Sequence, residues 1–90
     1  MKIPEYIIRD AKDKRLFASV RIGKEGVTDQ VIKELESQLR NREIIKVKAN
    51  RQILSSSGER NEVFSKLAKD TDSSLILQRG NVAVYWRKNT

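Results

Sequence analysis

The stretch Ala18-Ser19-Val20-Arg21-Ile22-Gly23-Lys24-Glu25-Gly26-Val27-Thr28-Asp29 decides how the rest of the chain is read. Ala18, Val20 and Ile22 alternate with Ser19 and Arg21, the period-two pattern of a half-buried strand. Two glycines three apart follow. Then comes Thr28, whose hydroxyl can accept a free first-turn N–H and so open a helix. Val27 before it and Ile32 after it are spaced for a hydrophobic staple. Asp29 suits the positive end of that helix's dipole, and Arg40 and Arg42 suit the negative end. Val31, Ile32, Leu35 and Leu39 form its apolar stripe, while Lys33, Glu34, Glu36 and Ser37 face outward. Asn41 is expected to stop the helix in the left-handed conformation.

Upstream, Pro4-Glu5 suits a first helical turn, where a missing N–H costs nothing. Ile3, Tyr6, Ile7 and Ala11 recur at helical spacing, which predicts a short first helix ending near Asp13. Downstream, Ile45, Val47 and Ala49 alternate with Lys46 and Lys48 as a second strand. Residues 50–58 read as a polar loop, and Ser56 with Glu59 is spaced for a capping box. Val63, Phe64, Leu67 and Ala68 make the inner face of a third helix, closed by Thr71-Asp72-Ser73. Leu75 to Gln78 and Val82 to Trp86 read as strands joined by the tight turn Arg79-Gly80-Asn81, a hairpin. The order is α-β-α-β-α-β-β. The expected fold is one compact two-layer α/β domain over residues 1–90, a mixed four-stranded sheet with helices mainly on one face.

Composition bounds the chemistry. The chain has 90 residues, 19 Lys+Arg, 12 Asp+Glu, no His and no Cys, and a formal charge of +7. Without Cys there is no disulfide, thiol nucleophile or zinc finger. Without His, catalytic triads and imidazole acid–base chemistry are gone. Carboxylate pairs with catalytic spacing are also missing, since Glu34 and Glu36 diverge on a helix and Asp70 and Asp72 sit at a helix end. No enzyme, cofactor or metal is expected. No apolar run is long enough for a membrane span or a secretory signal, so a cytoplasmic protein without a membrane partner is expected. The positive excess points to a polyanion.

Three features can carry binding. Gly23 and Gly26 allow close backbone approach and positive φ, the Thr28 helix end favours an anion, and Lys24 and Arg21 add cations. Glu25 opposes phosphate in the same loop. The same spacing also occurs in ordinary turns. Lys46 and Lys48 share one strand face, and Arg51, Arg79, Arg87 and Lys88 lie at strand ends; together they would release counterions from a nucleic acid. Alternation makes one of Tyr85 and Trp86 core and leaves the other free to stack on a base beside Arg87. Packing at a sheet edge is the plainer reading of that pair.

In order and spacing, four blocks resemble the CRM domain family (chloroplast RNA splicing and ribosome maturation), and its stand-alone YhbY-like members in particular. They are Ile22-Gly23-Lys24-Glu25-Gly26-Val27-Thr28, the helix with Val31, Ile32, Leu35 and Leu39, Glu43-Ile44-Ile45-Lys46-Val47-Lys48, and Gly80-Asn81-Val82-Ala83-Val84-Tyr85-Trp86-Arg87. The resemblance runs from about Phe17 to Lys88. It implies a small α/β fold similar to the C-terminal domain of a bacterial translation initiation factor, with a KH-like Gly-x-x-Gly loop. It implies RNA as partner, with Gly23, Lys24 and Gly26 in the contacting loop. A single domain points to the branch associated with ribosomal RNA and precursors of the large subunit rather than the multi-domain splicing branch. The expected RNA-binding residues are Arg21, Gly23, Lys24, Glu25, Gly26, Thr28, Lys46, Lys48 and Arg87. A general nucleic-acid binder of chromatin type and a protein-interaction adaptor remain the alternatives.

Overall fold

The computed structural model describes residues 3–50 and 57–88. The elements are α1 (Glu5–Ala11), β1 (Ala18–Ile22), α2 (Asp29–Asn41), β2 (Ile44–Ala49), α3 (Ser57–Asp70), β3 (Ser74–Arg79) and β4 (Val82–Trp86), in the expected order. The Ser56 end of the proposed capping box and Arg51 lie outside the described residues.

The four strands run in the order β1-β2-β4-β3. β1 and β2 are parallel, and β2–β4 and β4–β3 are antiparallel, which makes the sheet mixed. Strand alternation sorts the side chains. Val20, Ile22, Ile45, Val47, Ala49, Ala83 and Tyr85 meet Leu35 and Leu39 of α2 and Phe64 and Leu67 of α3 in one buried cluster. Val27 and Ile32 both pack against this cluster, in keeping with the staple.

Helix α1 covers part of the opposite face. It packs against β2 and β3 and buries Ile7 and Ala11. This overturns the expectation for the aromatic pair. Tyr85 is buried among α2 and α3, while Trp86 is only 4% exposed on the other side. Both faces of β4 are covered at that level, so neither ring is free to stack. Tyr85 is also tied down by its hydroxyl, which donates to the Phe64 carbonyl at 2.9 Å.

Two helix ends and one side chain depart from expectation. α1 stops at Ala11, because Asp13 accepts the Arg15 N–H and guanidinium and bends the chain away. Tyr6 is exposed and donates to Glu43 rather than joining the apolar stripe. Asn41 stays helical and donates its amide to Ser37; the following Arg42 turns extended, with φ −138°, straight toward β2. The left-handed stop occurs at α3 instead. Asp72 has φ 51°, Ser73 N–H reaches Ala68 O and Asp72 N–H reaches Lys69 O. That is the Schellman pattern with Asp where Gly is usual. Gly80, with φ 58°, supplies the positive φ that the two-residue hairpin turn needs.

Burial raises the Tyr85 phenol above its ordinary range, so the folded chain holds this proton more tightly than the unfolded one. Its contribution to stability is full below about pH 10 and declines as pH rises further, by at most ~1.4 kcal/mol per pH unit. Tyr85→Phe loses the bond to Phe64, about 1 kcal/mol near neutrality. The stability gap between native chain and variant should therefore narrow between about pH 10 and pH 11 in urea titrations.

Candidate functional site

The residues after β1 form the first element of the site. Gly26 N–H donates to Gly23 O at 3.0 Å, closing a four-residue turn with Lys24 and Glu25 exposed at its tip. The two glycines serve different ends. Gly26 sits at φ +77°, where a Cβ is strained. Gly23 needs no such φ, and a Cβ built there meets nothing within 4 Å. Its bareness leaves the backbone open to a ligand. Thr28 caps α2 as its position predicts: the hydroxyl accepts from Val31 N–H at 3.3 Å. This fixes the exit of the turn.

Two grooves flank the turn, and they differ in charge. The helix-side groove is lined by Arg21 and Lys24 but also by Glu25 and Glu34. The sheet-side groove, about 660 Å³, is lined by Arg21, Lys24 and Lys48 with Asn50 and Asn81, and by no carboxylate. Register explains the second grouping. Arg21 of β1 lies directly beside Lys48 of β2, and neighbours in register share a face. Gly23 and Lys24 follow one strand residue later. The groove wall is braced by Asn81, which donates to Ala49 O at 2.7 Å, and by Asn50 N–H, which donates to Ile22 O at 2.9 Å. Among the described residues, the side chains of Arg21, Lys24 and Lys48 have neither a hydrogen-bond partner nor an ion pair. An anion on the sheet side of the turn therefore meets cations that no carboxylate neutralises.

Two expected site residues are used elsewhere. Arg87 sits at the far end of the sheet, where its N–H donates to Glu43 O. Its guanidinium donates to Thr71 O at 2.9 Å and lies 3.8 Å from the Glu36 carboxylate. It ties the C-terminal ends of α2 and α3 to β4 and does not reach the glycine turn. Lys46 shares the face of Lys48, as alternation requires, but its ammonium donates to Leu16 O at 3.2 Å and anchors the segment after α1. Glu25 and Thr28 are in place at the tip and the helix cap. Sequence reasoning missed the pairing of Arg21 with Lys48 as one unit, because parallel register between strands separated by a helix leaves no local signal.

Comparison with known proteins adds four findings. The CRS1 / YhbY (CRM) domain family matches residues 10–87. The chain is 38% identical over 77 residues to "Probable RNA-binding protein MJ0652" of Methanocaldococcus jannaschii, covering 86% of this chain and 56% of that protein. It is 30% identical over 79 residues to "Probable RNA-binding protein YqeI" of Bacillus subtilis, covering 88% of this chain and 79% of that one. The chain thus spans little more than half the length of the archaeal relative. The solution structure of the hypothetical protein SAV1595 from Staphylococcus aureus superimposes with a TM-score of 0.77 over 99% of this chain and 92% of that one, at 24% identity. That likeness shows a shared fold.

The contrast between the glycines is measurable. Gly26→Ala should destabilise the domain by about 1 kcal/mol, the cost of a side chain at positive φ. Gly23→Ala should change stability by less than ~0.5 kcal/mol, as surface substitutions do. Urea denaturation of both variants checks this.

Proposed function

The chain belongs to the CRS1 / YhbY (CRM) domain family, and from that membership and the charge around its glycine turn we propose that it is a non-catalytic RNA-binding protein. One observation carries this reading: Arg21, Lys24 and Lys48 converge on one groove beside an open backbone turn, with no carboxylate among the lining residues. A sugar–phosphate backbone fits that chemistry. Phosphate oxygens accept charge-assisted hydrogen bonds from the three cations, and binding releases counterions. The bare Gly23 lets the backbone come close, as the Gly-x-x-Gly loop of KH domains does. Two relatives named as probable RNA-binding proteins support the choice of RNA over other polyanions.

The finer reading is that the target is structured ribosomal RNA during maturation of the large subunit. The resemblance to stand-alone YhbY-like proteins supports it. The contact set proposed here is Arg21, Gly23, Lys24, Gly26 and Lys48, with Thr28 holding the turn in place and Glu25 at the tip tempering affinity. Lys46 adds charge to the same sheet face, and Arg87 serves the fold.

Lys24→Ala with Lys48→Ala should weaken RNA binding by about 1–3 kcal/mol at fixed salt. The slope of log affinity against log salt should fall by roughly 1.4, at ~0.7 per lost single-strand phosphate contact. The fold should survive, since both side chains are exposed. Unchanged affinity in that titration sinks the assignment of the turn. Crosslinking in cells, followed by sequencing of the bound fragments, tests the target. Enrichment of large-subunit ribosomal RNA is expected, and equal recovery of DNA and unrelated RNA would favour a general nucleic-acid binder.

A further inference from the structure

The sheet face that holds Arg21 and Lys48 continues past the glycine turn toward the hairpin. Register aligns Arg21, Lys48, Val82 and Arg79 side by side across all four strands. That Arg79 belongs to this face is confirmed by its neighbour, since Gln78 points the other way and donates to Asn61 of α3. The next row holds Lys46, Val84 and Leu77. Helix α1 covers the rows beyond.

Between that row and the segment leaving α1 lies a groove of about 420 Å³. Half-buried Leu77 and Val82 line it with apolar surface above the buried Val84, and Lys12, Lys14, Lys46 and Arg79 bring positive charge to it. Its one carboxylate, Asp13, is engaged by Arg15 at 2.9 Å, which holds it well below the usual carboxylate range. Across this groove and the sheet-side groove of the turn, seven lining side chains are cations and one is a carboxylate. Lys48 pairs with Val82, so the two grooves adjoin. Among the described residues, Lys12, Lys14 and Arg79 make no hydrogen bond or ion pair with a side chain, and all three are exposed. Nothing in the fold uses their charge.

We infer that this groove is a second RNA subsite, which takes an unpaired nucleotide of the strand held at the glycine turn. The proposal rests on the RNA-binding reading above and deepens it. The cations face the phosphates, and the apolar surface takes the face of a base. A base inside a duplex is stacked on both sides and cannot lie on that surface, so the occupant is single-stranded. The row from Arg21 to Arg79 spans three interstrand gaps, about 14 Å, which is longer than one nucleotide's reach. The volume lies within the roughly 300–1,000 Å³ of small-ligand clefts.

The test compares fluorescence anisotropy of a dinucleotide RNA, a twelve-nucleotide single strand, a duplex equal in length to the twelve-mer and an oligo-glutamate peptide. Lys14→Ala with Arg79→Ala should lower affinity for the twelve-mer about tenfold and cut its salt slope by roughly 1.4. Affinity for the dinucleotide, which is too short to span the row from Arg21 to Arg79, should not change. Lys24→Ala should weaken both. A Lys14/Arg79 variant with unchanged twelve-mer affinity, beside a weakened Lys24→Ala, overturns the second subsite and leaves the RNA-binding reading standing. A native chain that binds no RNA overturns both. An equal loss on the duplex, or peptide binding as tight as RNA, overturns the single-stranded occupant.

Discussion

The alternation of strand β2 is the constraint on which everything else depends. β2 is hydrogen-bonded on both sides, to β1 and to β4. Its odd-numbered residues Ile45, Val47 and Ala49 are buried in the core, and its even-numbered Lys46 and Lys48 point to the other face. A slip of one residue would bury two lysines and expose three apolar side chains. Unpaired ammonium groups are far too costly to bury that way. The same alternation that makes the core therefore sets the charge of the opposite face. Core formation and ligand chemistry are not separate achievements of this sequence; one register provides both.

Charge is segregated by layer as a consequence. Much of the acidic surface sits on the outer sides of α2 and α3, where Glu36 meets Arg40 and Asp70 meets Lys66 across one helical turn. Exposed pairs of that kind add little stability, but they cancel charge locally. On the sheet face the one carboxylate of the two grooves, Asp13, is taken by Arg15, and among the described residues Arg21, Lys48 and Arg79 have no such partner. Positive charge without a partner thus gathers in the grooves on the sheet face beside the turn. Salt screens exposed charge over about 8–10 Å at ordinary ionic strength, so a compact cluster acts on a ligand as a unit, whereas the same charges spread over the surface would not.

The sequence made the elements legible because each carries a local signal. The period of β1 and β2, the Thr28 cap and the Gly80 turn are all written within a few residues, and all are found where expected. What was not legible depends on partners distant in sequence. Trp86 and Tyr85 are both buried because α1 returns to the second face, and nothing near Trp86 announces that. Arg87 looked like a free cation until the ends of α2 and α3 were brought to it. Asn41 is a good left-handed residue, yet it stays helical and Asp72 holds that conformation; both helices lead into a strand parallel to the one before them, so topology does not distinguish the two ends. Arg79 drew notice only as a strand-end charge. Its place in line with Arg21 and Lys48 needs the register of all four strands at once.

That line of cations differs in kind from Lys24. A lysine at a turn tip must be ordered when it binds, which costs side-chain freedom and some backbone freedom. Arg21, Lys48 and Arg79 project from hydrogen-bonded strands whose spacing is about 4.8 Å and does not change on binding. Their Cα positions are already fixed, so only the outer torsions of each side chain need settle. Lys24 must be placed on binding, while the sheet presents Lys48 one strand gap and Arg79 three strand gaps from Arg21. An array of that kind would favour a ligand lying extended across the face, with anionic groups at both ends of the row and an apolar part over Val82.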